Sequence, residues 1–270
     1  MQARRRPAEP ELHVADSAVA FRPGRGDAVG GWQLRELLGR GGSACVWRAV
    51  DGADRVAALK IPNAHAADLL RHEHSLLAAF RHSNVVATFG IVSSHDRAAL
   101  ALEYLPGGDL VALAGAPPQH WLPALRGVLA ALRELHAHGY AHCDVKARNV
   151  LFATDDSVRL IDFAAARPLD APLGRRIATA ACTPAGASTS GRAADCFAFA
   201  TLVYELGTGR LPYGAKGAQR HGEEPGAVPT AARSAPLLPL AVDVLRASGR
   251  VHDGLSVFAD DIESALEAYR

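Results

Sequence analysis

The order in which strand and helix patterns follow one another is the feature that most restricts how this chain can fold. From Trp32 to Ile61, three apolar segments (WQLRELLG, ACVWRAV and RVAALKI) are separated by glycine-containing turns, which is typical of short strands joined by hairpins. Two more strand-like segments, IVSSH and AALALEYL, follow Gly90 and lead to a PGGD turn. Helical spacing dominates the remainder. Strands first and helices afterwards predict an α+β architecture of two lobes.

The segment AHAADLLRHEHSLLAAF is predicted to be an amphipathic helix that carries Glu73 within its apolar face. The apolar residues at this helical spacing are Leu69, Leu76, Leu77 and Phe80. A buried, unpaired carboxylate costs several kcal/mol, so an inward Glu73 requires a cation. Lys60, which ends a predicted strand thirteen residues earlier, is the candidate partner. A surface glutamate on a helix of different phase remains the alternative.

Two long helices are predicted in the second half of the chain. The segment WLPALRGVLAALRELHAH ends before Gly139, as helix C-termini often do. The segment ADCFAFATLVYEL is apolar on nearly every side, which predicts a helix buried in the middle of its lobe. Asp195 lies near the start of that helix, where the helix dipole favours a carboxylate. Between the two helices, SVRLIDF is typical of a strand that runs into a loop.

Composition and charge exclude several classes of protein. A chain of 270 residues with 49% apolar content can bury one large core or two lobes around a cleft. Its net charge of +1 argues against general attraction to nucleic acid or anionic membranes. No apolar run reaches the roughly 18 residues that a membrane-spanning helix needs, and the start, MQARRRPAEP, does not resemble a signal peptide. The four widely spaced cysteines favour reduced thiols, so we expect a cytoplasmic protein.

Residues 1–30 mix arginines, prolines and glycines without a sustained period. This composition predicts a mostly disordered arm. A solvated tail is the simpler interpretation, and a basic docking arm is the alternative. The folded region is therefore expected to begin near residue 31.

Lysine is rare in this chain, because arginine supplies nearly all of its 29 basic residues. The three lysines are Lys60, Lys146 and Lys216. A lysine ammonium is a compact point charge, whereas a guanidinium is broad and planar. Lys146 is therefore a candidate for a site beside a phosphate group.

Three polar residues around Lys146 suggest phosphate and metal chemistry. Asp144 precedes Asn149 by five positions, and Asp162 follows thirteen positions later. Asn149 and Asp162 offer hard oxygen ligands of the kind that Mg²⁺ takes beside nucleotide phosphates, while Asp144 is left to accept a proton. Upstream, LGRGGSACV is a glycine-rich turn whose backbone N–H groups could approach phosphate oxygens.

Taken together, these motifs resemble the eukaryotic-like serine/threonine protein kinase family, in its bacterial form, over about residues 31–270. LGRGGSACV resembles the glycine-rich loop of the family and AALK its strand-three lysine motif, with Glu73 as the helical partner. HSNVV resembles HPNIV, LEYLPGGDL the hinge, HCDVKARN the motif HRDLKPEN, and IDFA the motif DFG. ADCFAFATLVYELGTGRLPY resembles the long central helix and its exit.

The resemblance implies a fold, a reaction and a set of site residues. The fold would have a small β-rich N-lobe with one key helix, at about 31–105, and a larger, mainly helical C-lobe, at about 106–270. The reaction would be Mg²⁺-assisted transfer of the γ-phosphoryl group of ATP to Ser or Thr hydroxyls of a protein substrate. The implied catalytic residues are Asp144, Lys146, Lys60 and Glu73, and the implied metal ligands are Asn149 and Asp162. The implied nucleotide-binding residues are Leu38, Gly39, Gly41, Gly42, Val46, Ala58, Lys60, Glu103, Leu105 and Leu151.

The sequence also departs from the family pattern. Ala44 replaces the third glycine of the loop, Ala164 the glycine of DFG, and Cys143 the arginine before the catalytic aspartate. In the family that arginine meets a phosphate on the activation loop, so its loss predicts activity without loop phosphorylation. A phosphate on a loop hydroxyl would lack its usual partner; the candidate hydroxyls are Thr179, Thr183 and Ser188.

A further departure concerns the region that seats a peptide substrate. No glutamate occurs between Glu134 and Glu205, so the APE motif of the family is degraded, and Arg250, its usual partner, is expected to be unpaired or re-paired. Two alternatives therefore stay open. One is a small-molecule kinase of the aminoglycoside or choline type, against which the glycine loop, Lys146 and the LGTGRLPY exit argue. The other is a pseudokinase, against which the intact Asp144 and Asp162 argue.

Overall fold

The computed structural model describes residues 22–63, 66–94, 97–171, 179–185, 190–214, 220, 222–232, 235–250 and 254–269. The chain divides into two compact units. The first contains the described residues up to Leu70 together with Phe89–Leu102, and the second contains Arg71–Thr88 and the residues from Glu103 onward. The first unit is β-rich and the second mainly helical, as predicted, but residues 71–88 group with the second unit rather than with the predicted N-lobe.

The first unit is built on a six-stranded sheet with the order β1-β2-β3-β4-β6-β5. Its strands are β1 (Ala28–Val29), β2 (Trp32–Arg40), β3 (Ala44–Val50), β4 (Val56–Pro62), β5 (Thr88–Ser94) and β6 (Arg97–Glu103). The segments that alternate and end at turn residues form β2, β3 and β4 in antiparallel register, as their sequences predict.

The two faces of this sheet differ in character. Trp47 and Leu59 are paired across β3 and β4 and belong to the buried core of the unit. Side chains alternate between the faces of a strand, so Val46 and Lys60, which form the next pair, lie on the opposite face. The alternation therefore separates the core from the face that carries the candidate lysine.

The prediction of a disordered arm is wrong for residues 22–30, while residues 1–21 lie outside the described residues. Val29 in β1 is fully buried and pairs with Trp32. Gly30 and Gly31 make the tight turn between these strands, both with positive φ. A two-residue strand between glycines carries no sequence period, which explains why the pattern did not reveal it.

The second unit is formed mainly by helices. They are α1 (Ala67–Ala79), of which the part from Arg71 belongs here, α2 (Pro118–Ala137), α3 (Gly191–Thr208), α4 (Leu238–Arg246) and α5 (Ala259–Glu267). Two small antiparallel pairs accompany them: β7 (Tyr140–Ala141) with β10 (Arg167–Pro168), and β8 (Val150–Phe152) with β9 (Val158–Leu160). Helix α3 packs against α2 and α4, and α2 packs against α5.

Helix α3 is the buried centre of this unit, as its all-round apolar sequence predicts. Ser190 caps its N-terminus by accepting a hydrogen bond from the backbone N–H of Ala193, and Gly209 ends it with a positive φ of 71°. Because it is buried and capped at both ends, α3 supplies a rigid internal support for the loops that surround it.

Over the described residues, none of the helices combines the length and apolarity that crossing a membrane demands.

Candidate active site

A buried aspartate on helix α3 fixes the start of the loop that contains Asp144. Asp195 is fully buried and accepts hydrogen bonds from the backbone N–H groups of His142, at 2.8 Å, and Cys143, at 2.7 Å. Its second oxygen also lies 2.9 Å from His136 Nε2. These bonds hold Cys143 at a φ of 64°, a left-handed conformation that is unfavourable for a non-glycine residue. A carboxylate inside an otherwise apolar helix was the sequence signal for such an anchor, because a buried charge needs partners.

The ring of His142 connects the same loop to the strand segment that precedes Asp162. Its Nδ1 accepts a hydrogen bond from the backbone N–H of Asp144 at 3.2 Å, so the proton must reside on Nε2, which lies 3.1 Å from the Ile161 carbonyl oxygen. The ring also meets Phe163 edge-on, with the centroids 4.7 Å apart. The loop and the segment around Asp162 are thus positioned by one fully buried side chain.

The structure brings Asp144, Lys146 and Asn149 together. Lys146 Nζ lies 2.6 Å from Asp144 Oδ2, and Asn149 Nδ2 donates to the same oxygen at 3.0 Å and to the Asp144 carbonyl oxygen at 2.8 Å. Asp144 is 8% exposed, so the carboxylate faces few competing waters. Hydrogen bonds to a charged group are stronger than neutral ones, which keeps the carboxylate in one orientation.

Thr179 adds a hydroxyl to this cluster. Its Oγ1 donates to Asp144 Oδ1 at 2.6 Å and accepts from Lys146 Nζ at 2.8 Å, and its backbone N–H also donates to Asp144 Oδ1, at 3.2 Å. The sequence singled out Thr179 only as a possible phosphate acceptor, and nothing in its local pattern indicated a partner 35 positions away. Ser188, another candidate acceptor, lies outside the described residues.

Replacing Thr179 with valine is expected to lower kcat about tenfold, because one charge-assisted hydrogen bond contributes about 1.5–3 kcal/mol. Valine has nearly the same shape but cannot bond to Asp144 or Lys146. Steady-state rates at saturating ATP would measure the effect, and Thr179→Ser, which keeps the hydroxyl, is the matched control. A valine variant as fast as the wild type, or faster, would mean that the hydroxyl merely occupies Asp144.

Glu73 faces inward, as the apolar stripe predicts. Its side chain is fully buried, and Oε1 accepts a hydrogen bond from the backbone N–H of Phe163 at 3.1 Å. Phe163 begins a 3-10 turn, Phe163–Ala165, that follows Asp162, whose φ is 65°. The stripe itself is shifted at its start, because Leu70 is buried and Leu69 only half-buried. The glutamate therefore positions the segment that carries one of the predicted metal ligands.

The donor groups at Asn149 and Asp162 suit a magnesium ion. Both hydrogen bonds of the Asn149 side chain use the amide nitrogen, which leaves the amide oxygen for a ligand. An amide oxygen and a carboxylate are hard donors of the kind that Mg²⁺ prefers, and this ion normally keeps several waters or phosphate oxygens as well. Among the described residues, no cluster of three or more histidine, cysteine or acidic side chains could hold a metal.

In the first unit, several predicted nucleotide-binding residues share one face of the sheet. Gly39 pairs with Val46, and Val46 pairs with Lys60, across three neighbouring strands. Ala58 is two residues from Lys60 on β4 and lies on the same face. Lys60 is 8% exposed and Ala58 9% exposed, so this row of the sheet is largely covered.

The glycine-rich turn is held from within the first unit. The backbone N–H of Gly41 donates to the Ala44 carbonyl oxygen at 2.8 Å. Asn63 Nδ2 donates to the carbonyl oxygens of Gly41, at 3.2 Å, and Gly42, at 2.9 Å. Ala44 lies in β3 without a positive φ, so alanine is accommodated at the position of the third glycine.

The remaining predicted nucleotide-binding residues lie on different elements. Leu38 lies on β2 and is 43% exposed, whereas Leu151 lies on β8 in the second unit. At the predicted hinge, the backbone N–H of Glu103 donates to the Ala87 carbonyl oxygen at 2.9 Å, so only the Glu103 carbonyl is left for an adenine edge. Leu105 is 8% exposed.

A family model described as protein kinase domain matches residues 32–228 of the chain. The chain belongs to the protein kinase family. Its motifs predicted this membership, and the prediction is confirmed. The matched residues include the glycine-rich turn, the Asp144 loop and helix α3.

Three curated relatives of this kinase domain, one from a plant and two from bacteria, show the extent of the similarity. It is 33% identical over 208 residues to CBL-interacting protein kinase 4 of Oryza sativa subsp. japonica, which covers 68% of the chain and 46% of that protein. It is 30% identical over 231 residues to serine/threonine-protein kinase Pkn1 of Myxococcus xanthus, and this match covers 77% of the chain and 32% of Pkn1. It is 31% identical over 198 residues to serine/threonine-protein kinase PknL of Mycobacterium bovis, and this match covers 67% of the chain and 50% of PknL. The chain spans half or less of the length of these three proteins.

This kinase domain has a neutral thiol before its candidate catalytic aspartate. Burial, together with the nearby Asp195 carboxylate, raises the pKa of Cys143 to about 12. The thiol packs among Ala141, Ala165 and Leu169. An uncharged, buried side chain cannot pair with a phosphate as an arginine would.

The thiols of Cys143, Cys182 and Cys196 are expected to resist alkylation in the folded kinase. Burial raises the pKa of Cys182 and of Cys196 to about 12 as well. At pH 8 only about one thiol in ten thousand would be ionised, and the thiolate is the reactive form. Iodoacetamide labelling followed by peptide mass spectrometry would check this, with denatured protein as the control. Rapid labelling of any of the three in folded protein would contradict it.

Arg250, which the sequence predicts to lack its usual glutamate partner, lies exposed after helix α4. Its side chain forms no ion pair with an acidic residue in the part of the chain that the structure describes. The expectation that this arginine is unpaired or re-paired stays a prediction, because residues 251–253 lie outside the described residues. The neighbouring Gly249 has a φ of 73°, and a Cβ there would come within 2.0 Å of the Ala193 carbonyl oxygen. The turn after α4 thus packs directly on α3.

Proposed function

We propose that this kinase domain transfers the γ-phosphoryl group of ATP, with Mg²⁺, to Ser or Thr hydroxyls of a protein substrate. The observation that supports the proposal most directly is the alcohol oxygen of Thr179, which lies 2.6 Å from Asp144 Oδ1 and 2.8 Å from Lys146 Nζ. The carboxylate and the ammonium group together therefore accommodate an alcohol. The serine/threonine kinases among its relatives favour the same acceptor class.

In this proposal each polar residue of the loop has one task. Asp144 accepts the proton of the acceptor hydroxyl while the hydroxyl oxygen bonds to the γ-phosphorus of ATP and the bond from that phosphorus to the β–γ bridging oxygen breaks, which releases ADP. Lys146 offsets the negative charge on the transferred group. Asn149 and Asp162 would hold Mg²⁺, which when bound neutralises charge on the phosphate oxygens. Thr179 would keep its bonds to Asp144 Oδ1, and the acceptor would take the place of Lys146 Nζ at Oδ2 once that ammonium group moves to the phosphate.

The residues of the first unit would bind the nucleotide. Lys60 would contact the phosphates with Glu73 as its partner, and the glycine-rich turn would offer backbone N–H groups, as the family resemblance implies. We further propose that the domain works without phosphorylation of its activation segment, because Cys143 offers no positive charge. With reduced thiols, we place its activity in the cytoplasm.

An assay of acceptor classes tests the proposal. The purified protein would be incubated with γ-labelled ATP and Mg²⁺, first with generic protein acceptors and then with a panel of small alcohols and amines. We expect label on Ser and Thr of protein, and none with the Asp144→Asn variant, which controls for contaminating kinases. Label found only on a small acceptor would favour a small-molecule kinase, and nucleotide binding without turnover would favour a pseudokinase.

A further inference from the structure

Two neighbouring residues of helix α1 hold both ends of the turn that follows Asp162. His72 Nε2 lies 2.6 Å from the Ala166 carbonyl oxygen, and Glu73 Oε1 accepts the backbone N–H of Phe163 at 3.1 Å. The turn itself closes through a bond from the Ala166 N–H to the Phe163 carbonyl oxygen at 3.1 Å. Because a carbonyl oxygen only accepts, His72 must carry its proton on Nε2. The helix thus clamps the first and last residues of one short turn.

This turn follows directly on a residue with a left-handed backbone. Asp162 has a φ of 65° and a ψ of 73°, in a region that non-glycine residues occupy only rarely. The 3-10 turn at Phe163–Ala165 and its bonds to α1 support this conformation. Any loss of the clamp would therefore reach Asp162, the residue proposed as a metal ligand.

The clamp contains no group that must first be phosphorylated. Its acceptor at Ala166 is a backbone carbonyl, which is present as soon as the chain folds. Arg167 bonds within the same turn, because its Nε donates to the Ala165 carbonyl oxygen at 3.3 Å, and its side chain also interacts with the Cys143 thiol. Cys143, which lies against Ala165, is a neutral side chain in a small apolar cluster. The segment is therefore bonded to α1 by His72 and Glu73. A phosphate on the activation segment could not take over this role through position 143, because that residue is a cysteine and not an arginine.

We propose that His72 is a positioning residue that replaces the activation-loop phosphate, holding helix α1 and the Asp162 segment in their working arrangement through the Ala166 carbonyl. The proposal rests on the proposed kinase activity and names how that activity is made independent of phosphorylation. His72 touches neither substrate nor metal and acts through Asp162 and Glu73.

Three variants test the clamp. His72→Ala removes the donor, whereas His72→Gln places an amide N–H where Nε2 lies. His74→Ala is the matched control, since its ring bonds to no described residue although it lies on the same helix. Hydrogen exchange of the peptide that contains Phe163 and Ala166 would be measured together with kcat and the KM for ATP, on protein treated with phosphatase.

We expect wild-type activity to survive phosphatase treatment. In His72→Ala, exchange at these amides should quicken about tenfold or more and kcat should fall by a similar factor. His72→Gln should restore both to within about threefold of the wild type, and His74→Ala should change neither. The melting temperature of each variant would also be measured. If His72 only supported the fold, His72→Ala would lower the melting temperature. A loss of kcat at an unchanged melting temperature, restored by His72→Gln, indicates a positioning role instead.

Either of two results would overturn the proposal: unchanged exchange and kcat in His72→Ala, or wild-type activity that disappears on phosphatase treatment. If the wild-type protein transfers no phosphate at all, the proposed function fails. The exchange measurement still decides the clamp in that case, because it depends only on hydrogen bonding around Phe163 and Ala166.

Discussion

Replacing Asp144 with asparagine is expected to lower the rate of phosphoryl transfer by about 10²–10⁴-fold, the usual contribution of a general base. Asparagine has the same size but cannot accept the proton of an alcohol. Its amide nitrogen would also face a donor, either Lys146 Nζ or the Thr179 hydroxyl, both of which now bond to the carboxylate. Steady-state rates with the protein acceptor found in the acceptor assay would measure the loss.

The same variant should lose about 1–3 kcal/mol of stability, the usual cost of a buried polar group left without a partner, and should therefore remain folded. A matched control is Asp156→Asn, on the exposed turn between β8 and β9, where φ is 59° and asparagine is well tolerated. That control should retain full rate. An Asp144→Asn rate within tenfold of the wild type would remove Asp144 from the role of base.

Replacing Asp195 with alanine is expected to lower the free energy of unfolding by about 3–5 kcal/mol, the usual cost of breaking a buried charged network. The carboxylate is fully buried and serves three donors: the backbone N–H groups of His142 and Cys143, and the ring of His136. Alanine leaves these donors buried without an acceptor. Transfer activity should also fall sharply, since the bond from the Cys143 N–H to Asp195 supports the left-handed φ of Cys143 directly before Asp144.

Urea unfolding followed by circular dichroism would measure the stability of this variant. Asp195→Asn should give an intermediate loss, because its amide oxygen can serve one side of the network while its NH₂ group faces a donor on the other. Asp243→Ala, which removes an exposed carboxylate on α4, is the control and should shift stability by less than about 0.5 kcal/mol. If Asp195→Ala lost no more stability than the Asp243→Ala control, the hydrogen-bond network around Asp195 would contribute little to the free energy of unfolding.

The parts of the fold that depend on local pattern were predictable from the sequence. Strands β2 to β4 alternate and end at turn residues, and α3 is apolar all round, so period and length identify them. The burial of Glu73 followed from its place in an apolar stripe. The proximity of Asp144 and Asn149 followed from five positions in one loop.

The contacts that complete the site were not predictable in the same way. Thr179 bonds to a residue 35 positions away, Asp195 to residues 52 and 53 positions away, and His72 to one 94 positions away. Such partners are chosen by the packing of whole elements, about which a local period carries no information. For Asp195 the sequence indicated only a position near the start of α3, where the helix dipole favours a carboxylate, and no partner.

The bonds that Asn63 makes beneath the glycine-rich turn bear on how quickly a nucleotide could be captured and released. Fixing the backbone of a residue costs about 1–2 kcal/mol of conformational entropy, and here part of that cost falls on folding rather than on ligand capture. Because little rearrangement of the loop precedes contact, the rate constant of nucleotide association should depend on solvent viscosity no more strongly than diffusion alone predicts. The Asn63→Ala variant would lose both hydrogen bonds to the turn. The entropic cost of ordering the turn would then fall on nucleotide binding instead of on folding.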